Sequence, residues 1–207
     1  MTHQLAVLIS GSGTNLQAIM DAQKAGTLDA EIAVVFSNRA NAAGLERAAQ
    51  AGIPTASLDH RDYPDREQFD QAMIEVLTPY APDTVVLAGF MRILSAVFVR
   101  HYAGRLINIH PSLLPKYRGL NTHARALEAG DSEHGCSIHF VTEELDGGPL
   151  IAQAPIAVHA NDTVDSLSKR VQQREHLLYP QVLQWRAQDR LELTDNDRTW
   201  PTFAGPD

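Results

Sequence analysis

Short apolar runs alternate with helical stretches through the first half of the chain. Leu5 to Ile9 is continuously apolar and reads as a strand, and Asn15 to Ala25 follows as a helix. Ile32 to Phe36 predicts a second strand. Ala42 to Ala51 is alanine-rich and stops at Gly52 and Pro54, residue types that end helices. A short strand at Thr55 to Leu58, a helix over Arg66 to Leu77 and a strand at Thr84 to Ala88 continue the alternation. Strands apolar at nearly every position are covered on both faces. The pattern therefore predicts an α/β chain: an open, mainly parallel twisted sheet flanked by helices, with a Rossmann-like N-terminal half.

The second half changes character. Leu106 to His110 predicts a strand that ends at Pro111, which has no N–H to give a ladder. Ser112 to Thr122, rich in Pro, Gly and basic residues, predicts a long surface loop, and loops carried by a rigid sheet are where binding residues gather. A helix over His123 to Ala129 follows, closed by Gly130. Ser137 to Val141 and Leu150 to Val158 read as two more strands, joined by a turn-rich, flexible loop from Glu143 to Pro149. Thr163 caps a last helix reaching about Arg186. The organisation expected is one domain over 1–187, with halves of about 1–100 and 101–187, and a loose polar tail over 188–207.

Composition narrows the function. A chain of 207 residues, 44% of them hydrophobic, can bury one domain-sized core. The single cysteine, Cys136, cannot form an internal bridge, and no paired Cys/His spacing marks a structural zinc. A net charge of −8 without a basic block argues against nucleic acid as the partner. No apolar run is long enough to span a bilayer, and the first residues lack the features of a signal peptide. The expectation is a cytoplasmic protein that handles small molecules, with no nucleic acid and no membrane among its partners.

Candidate chemistry sits in three places. Ser10-Gly11-Ser12-Gly13-Thr14-Asn15 joins the first strand to the first helix, where glycines let the backbone approach an anion and the helix offers unpaired N–H groups. Leu16 and Ser37-Asn38 do not fit a dinucleotide fingerprint, and there is no lysine for a P-loop. A phosphate site and an ordinary strand-to-helix turn both remain open. At the end of the strand Leu106 to His110, period-two geometry sends Asn108 and His110 to one face, and the carboxyl end of a parallel strand is where open α/β sheets bind ligands. An imidazole can move a proton and an amide can bond a developing oxyanion, a pair suited to acyl transfer. The two could equally tie down the loop that begins at Pro111. In the next strand Ser137 and His139 share one face, while Cys136 lies with the apolar Ile138 and Phe140. Asp146 then either starts a turn or stands beside His110, where an anion favours the imidazolium. A metal held by His110, His139 and Asp146 has no compact ligand spacing behind it.

Asn108 to Lys116 with Gly119, and Leu145-Asp146-Gly147-Gly148-Pro149, resemble the signature of the folate-dependent formyltransferases. The likeness runs from Leu8 to Gly11, through Ala88 to Leu94, to Glu175-His176. It implies the formyltransferase fold and transfer of a formyl group from 10-formyltetrahydrofolate, as cosubstrate and without a metal, to the amine of phosphoribosylglycinamide in purine synthesis. Attack would be direct, through a tetrahedral intermediate. Asn108, His110 and Asp146 would be the catalytic trio. Gly13, Thr14 and Asn15 would hold the phosphate, with Gln172, Gln173, Arg174 and Glu175 on the ribosyl-glycinamide portion. Arg66, Met91, Arg92, Ile93, Leu94, Asn108, Thr142, Glu143, Glu144, Leu145 and Asp146 would line the folate site. Arg118 and Cys136 stand where some members carry proline and threonine. The oligomeric state implied is a monomer or homodimer. Two alternatives stay beside this reading. A formyltetrahydrofolate hydrolase would use the same trio on water, in relatives with an added regulatory domain. A non-catalytic folate- or nucleotide-binding protein would keep the pocket alone.

Overall fold

The structure, a computed structural model, describes residues 2–191. Strand β1 (His3–Ile9) leads to helix α1 (Thr14–Lys24), then β2 (Ala30–Ser37), α2 (Ala43–Gln50), β3 (Thr55–Ser57) and α3 (Arg66–Leu77). Next come β4 (Thr84–Leu87), α4 (Ala96–His101), β5 (Leu106–His110), α5 (Thr122–Glu128), β6 (Glu133–Phe140), β7 (Leu150–Ala157) and α6 (Val164–Ala187). The strands form one sheet in the order β3-β2-β1-β4-β5-β6-β7. The pairs from β3 to β5 are parallel, and β6 and β7 are antiparallel additions at one edge.

Both faces of the sheet are buried, as the apolar strands require. Leu5, Val7 and Ile9 of β1 join Ile107 and Ile109 of β5 in a core under α1 and α6, while Ala6 and Leu8 face Phe69 and Met73 of α3 and Phe98 of α4. The strand order turns at β1 and β4, since the chain leaves β1 toward β2 and returns to β4 on its other side. A crevice opens at the carboxyl ends of strands at such a point. Ser10 stitches its rim: its N–H donates to Gly89 O (3.1 Å), its hydroxyl donates to Asn38 Oδ1 (2.6 Å), and the same hydroxyl accepts from Met91 N–H (2.8 Å).

Three differences from the sequence reading have physical causes. Helix α4 has no counterpart in the expected elements, because six residues are too few to display a 3.6-residue period. Strand β6 starts at Glu133 rather than Ser137: its first residues carry polar side chains but pair with Ala157 and Ile156 of β7. Of the expected loose tail, residues 192–207 lie outside the described residues, whereas Leu191 is buried in the core and its carbonyl accepts from Arg186 Nη1 at 2.7 Å.

Candidate active site

Beyond the ends of β4 and β5 lies a cavity of about 450 Å³. Met91 to Leu94 form one wall, Thr142 to Asp146 another, and Asn108, His110 and His139 its polar end. Met91, Ile93 and Leu145 are apolar yet more than half exposed, so they form an apolar rim. Arg92 lines the cavity, its guanidinium 5.0 Å from the centre of the Phe69 ring, and its buried Nε has no hydrogen-bond partner. Of the residues expected around folate, all but Arg66 stand in these walls; Arg66 is the first residue of α3.

The polar end is built by strand register. β5 and β6 run antiparallel with Asn108 opposite His139 and His110 opposite Ser137, so four polar side chains share one face of the sheet. Ile107, Ile109, Cys136, Ile138 and Phe140 pack on the other face. Cys136 is fully buried, and burial pushes its thiol well up, which leaves it an unreactive core residue.

His110 is 6% exposed and held at both ring nitrogens. Nε2 lies 2.9 Å from Tyr117 O; a carbonyl only accepts, so this nitrogen carries a proton. Nδ1 faces Asp146 Oδ2 at 3.5 Å. Asp146 arrives from the β6–β7 loop with φ 47, the left-handed region that Asp and Asn tolerate better than most residues. Its Oδ2 accepts the Gly119 N–H at 2.9 Å, and its Oδ1 stands 3.7 Å from His139 Nε2. The loop that delivers it is tightly turned. Gly147 N–H donates to Glu144 O, Phe140 N–H donates to Pro149 O, and a Cβ at Gly148 would overlap the Phe140 carbonyl. Arg100 pairs with Glu143 from one side at 2.6 Å and Arg118 with Glu144 from the other. The loop is thus shaped by its own backbone hydrogen bonds and flanked by two exposed arginine–glutamate pairs.

The segment 111–121 is also more ordered than a surface loop. Ser112 and Leu114 are buried, and Tyr117 Oη and Lys116 Nζ both bind Asp131, at 2.8 and 3.0 Å. Tyr117 adopts φ 56, which turns its carbonyl onto His110. Behind it His123 Nδ1 and His134 Nε2 share a hydrogen bond of 3.0 Å. Burial, and next the neighbouring His123, push His134 down to about 4. A histidine whose folded value lies below its free value of 6.5 is protonated in the unfolded chain first, so stability is lost as pH falls from about 6.5 to about 4. His134→Gln should flatten this acid limb of thermal stability; a melting profile over pH 4–7 that keeps its slope would contradict the assignment.

A second cluster forms where α1 meets α6. Gly13, the N-cap of α1 with φ 70, Thr14 and Asn15 come from the glycine loop. Gln172 Nε2 donates to Thr14 Oγ1 (3.0 Å) and Asn15 Nδ2 donates to Glu175 Oε2 (2.9 Å), contacts that span 158 and 160 residues of sequence. Burial pushes the Glu175 carboxyl up, against the Asn15 hydrogen bond, which favours the charge. Asn15 Oδ1 is buried with no partner. Gln173 is exposed, and Arg174 is half-buried on the same helix.

Several parts of the site were not foreseen from sequence. The Tyr117 carbonyl and the Gly119 N–H are backbone groups, invisible in residue type. Tyr179, fully buried on α6, sets its hydroxyl between Leu87 O and Ile107 O, 2.9 and 3.1 Å away, and so fixes the ends of β4 and β5 beneath Asn108. Its signal was only a tyrosine in the buried stripe of α6. Among the described residues no group of three or more His, Cys, Asp and Glu side chains is arranged to hold a metal ion. His110, His139 and Asp146 do meet: the Asp146 carboxylate stands 3.5 Å from His110 Nδ1 and 3.7 Å from His139 Nε2.

Comparison with known proteins assigns the chain to a family. Residues 3–183 match the formyl transferase family. Phosphoribosylglycinamide formyltransferase of Escherichia coli K12 is 58% identical over 192 residues, 93% of this chain and 91% of that protein. The human trifunctional purine biosynthetic protein adenosine-3 is 46% identical over 195 residues, 94% of this chain but 19% of its own length. The solved phosphoribosylglycinamide formyltransferase of Coxiella burnetii, 53% identical, superposes with a TM-score of 0.90 over 95% of this chain and 92% of that one. With the family match over residues 3–183, and with sequence and fold alike over almost the whole length, the chain belongs to the formyl transferase family.

Proposed function

We propose that this enzyme transfers the formyl group of 10-formyltetrahydrofolate to the primary amine of phosphoribosylglycinamide, a step of purine biosynthesis. The observation that carries the reading is the convergence of Asn108, His110 and Asp146 at the polar end of an apolar cavity, within a chain 58% identical to an enzyme of that name. The cavity walls suit a flat, largely apolar donor, and the unpartnered Arg92 Nε offers it a buried hydrogen-bond donor. The second cluster suits the acceptor. The N-terminus of α1 favours a phosphate, while the buried Asn15 Oδ1 and the Glu175 carboxylate are acceptors for the N–H and O–H groups of a ribosyl-glycinamide.

In this reading the amine attacks the formyl carbon and the carbonyl oxygen becomes an oxyanion. The Nε2–H that rests on the Tyr117 carbonyl is the His110 donor available to that oxygen once the carbonyl is displaced, and the Asn108 amide supplies a second. Asp146 balances the imidazolium from the far side and lies where a water could carry the proton from the amine toward N10. The oxyanion then collapses to a carbonyl as the C–N10 bond breaks, N10 takes the proton and tetrahydrofolate leaves, with no bond formed to the protein.

Mass spectrometry of the products of the two substrates should find the acceptor heavier by one formyl group. Formate beside an unchanged acceptor would instead make the protein a hydrolase. The phosphate assignment has its own test. A Cβ at Gly13 would sit 2.8 Å from Gly44 Cα, in a backbone conformation that costs a side chain roughly 1–2 kcal/mol. Gly13→Ala should therefore raise KM for phosphoribosylglycinamide about tenfold or more while leaving KM for the folate nearly unchanged; equal changes in both would contradict it.

A further inference from the structure

We propose that His139 is a positioning residue for this reaction, fixing which end of the Asn108 amide meets the substrate. The proposal rests on the formyl-transfer reading above. His139 Nδ1 lies 2.9 Å from Phe140 O, and because a carbonyl only accepts, Nδ1 holds the proton. The ring is 2% exposed. Burial, the largest influence on it, keeps the ring neutral, opposed by the Phe140 carbonyl and Asp146 and aided by His110 and Arg118.

A neutral ring protonated at Nδ1 has a bare Nε2. That nitrogen stands 3.1 Å from the Asn108 amide, directly across the β5–β6 ladder. A bare nitrogen accepts only from the –NH2 end; the amide oxygen in its place would set lone pair against lone pair. The two ends of an asparagine amide are nearly the same size, so shape alone does not choose between them. His139 makes the choice. One Nδ2 hydrogen is spent on its Nε2, and the second is left for an oxyanion forming in the cavity that Asn108 lines. If Nε2 carried a proton, the amide would turn its oxygen to His139 and that arrangement would be lost.

His139→Met removes the acceptor while filling similar space, and His139→Gln places an amide oxygen at the reach of Nε2. Losing one oxyanion donor costs about 10²–10³ in kcat, and an amide free to flip loses part of that, so His139→Met should lower kcat roughly 10- to 100-fold. KM for both substrates should stay within about threefold, and His139→Gln should recover most of the rate. In an Asn108→Ala background His139→Met should cost little more, because two residues acting through one contact are not additive. Losses that multiply, or His139→Gln as slow as His139→Met, would overturn the proposal. Near-normal turnover in Asn108→Ala alone would instead remove the reading on which the proposal rests, and the proposal with it. Nitrogen-15 NMR of the wild-type imidazoles needs no variant: Nδ1–H with bare Nε2 at neutral pH is expected, and an Nε2–H tautomer would contradict it.

Discussion

His110→Ala should fold and bind both substrates yet lose turnover by roughly 10³–10⁴-fold. The imidazole is the only group of the trio placed to donate a charge-assisted hydrogen bond, and its removal takes the proton donor and the partner of Asp146 together. The fold does not depend on it. The apolar face of β5 is carried by Ile107 and Ile109, and the strand keeps its ladders to β4 and β6. What is lost structurally is the bond to Tyr117 O and its ordering of the 111–121 segment, about 1–3 kcal/mol for an acceptor left without its donor. Thermal melting and steady-state kinetics on one preparation separate the two effects. A melting point lower by a few degrees with turnover almost abolished is the expected pair. Turnover near that of the wild type would remove His110 from the chemistry.

Asp146→Asn is the sharper of the two variants, because it changes charge and little else. Asparagine accepts the left-handed conformation at φ 47, and its amide oxygen can still take the Gly119 N–H. The loop should keep its shape. In the proposed reaction His110 then lacks the carboxylate beside its Nδ1, and kcat should fall by about 10²–10³ with an altered pH–rate profile and little change in KM for the folate. Asp146→Ala should in addition release Gly119 and raise that KM. Should Asp146→Asn keep both the rate and the pH–rate profile of the parent, its carboxylate would have no part in the reaction.

How much of this was legible in the sequence depends on the kind of residue concerned. Strand period two put Asn108 and His110 on one face, and the same logic placed Ser137 and His139; both faces are as expected. Periodicity could not bring Asp146 to His110, because a loop has no period. That meeting depends on a left-handed residue, a tight glycine turn and the backbone N–H of Gly119, all of them tertiary. The pairing of Gln172 with Thr14 and of Glu175 with Asn15 was equally out of reach of local pattern, since it joins the two ends of the chain. The resemblance to formyltransferases named those residues without giving the reason they meet. The packing of α6 against α1 supplies it.

His139 shows the limit from the other side. Its place on the polar face was readable, and a metal held with His110 and Asp146 was conceivable there without any compact ligand spacing to support it. The direction of its two nitrogens was not. Only the Phe140 carbonyl on one side and the Asn108 amide on the other turn it from a possible ligand into a hydrogen-bond acceptor.

The central claim is that the reacting carbon sits where Asn108, His110 and Asp146 converge. A crystal structure with phosphoribosylglycinamide and a non-hydrolysable 10-formyltetrahydrofolate analogue tests it most directly. The formyl-equivalent oxygen should lie about 3 Å from both His110 Nε2 and Asn108 Nδ2, with the phosphate on the N–H groups of Gly13 to Asn15. An analogue whose reactive carbon lies beyond hydrogen-bond reach of His110 and Asn108, with the acceptor amine still in line for attack, would contradict it.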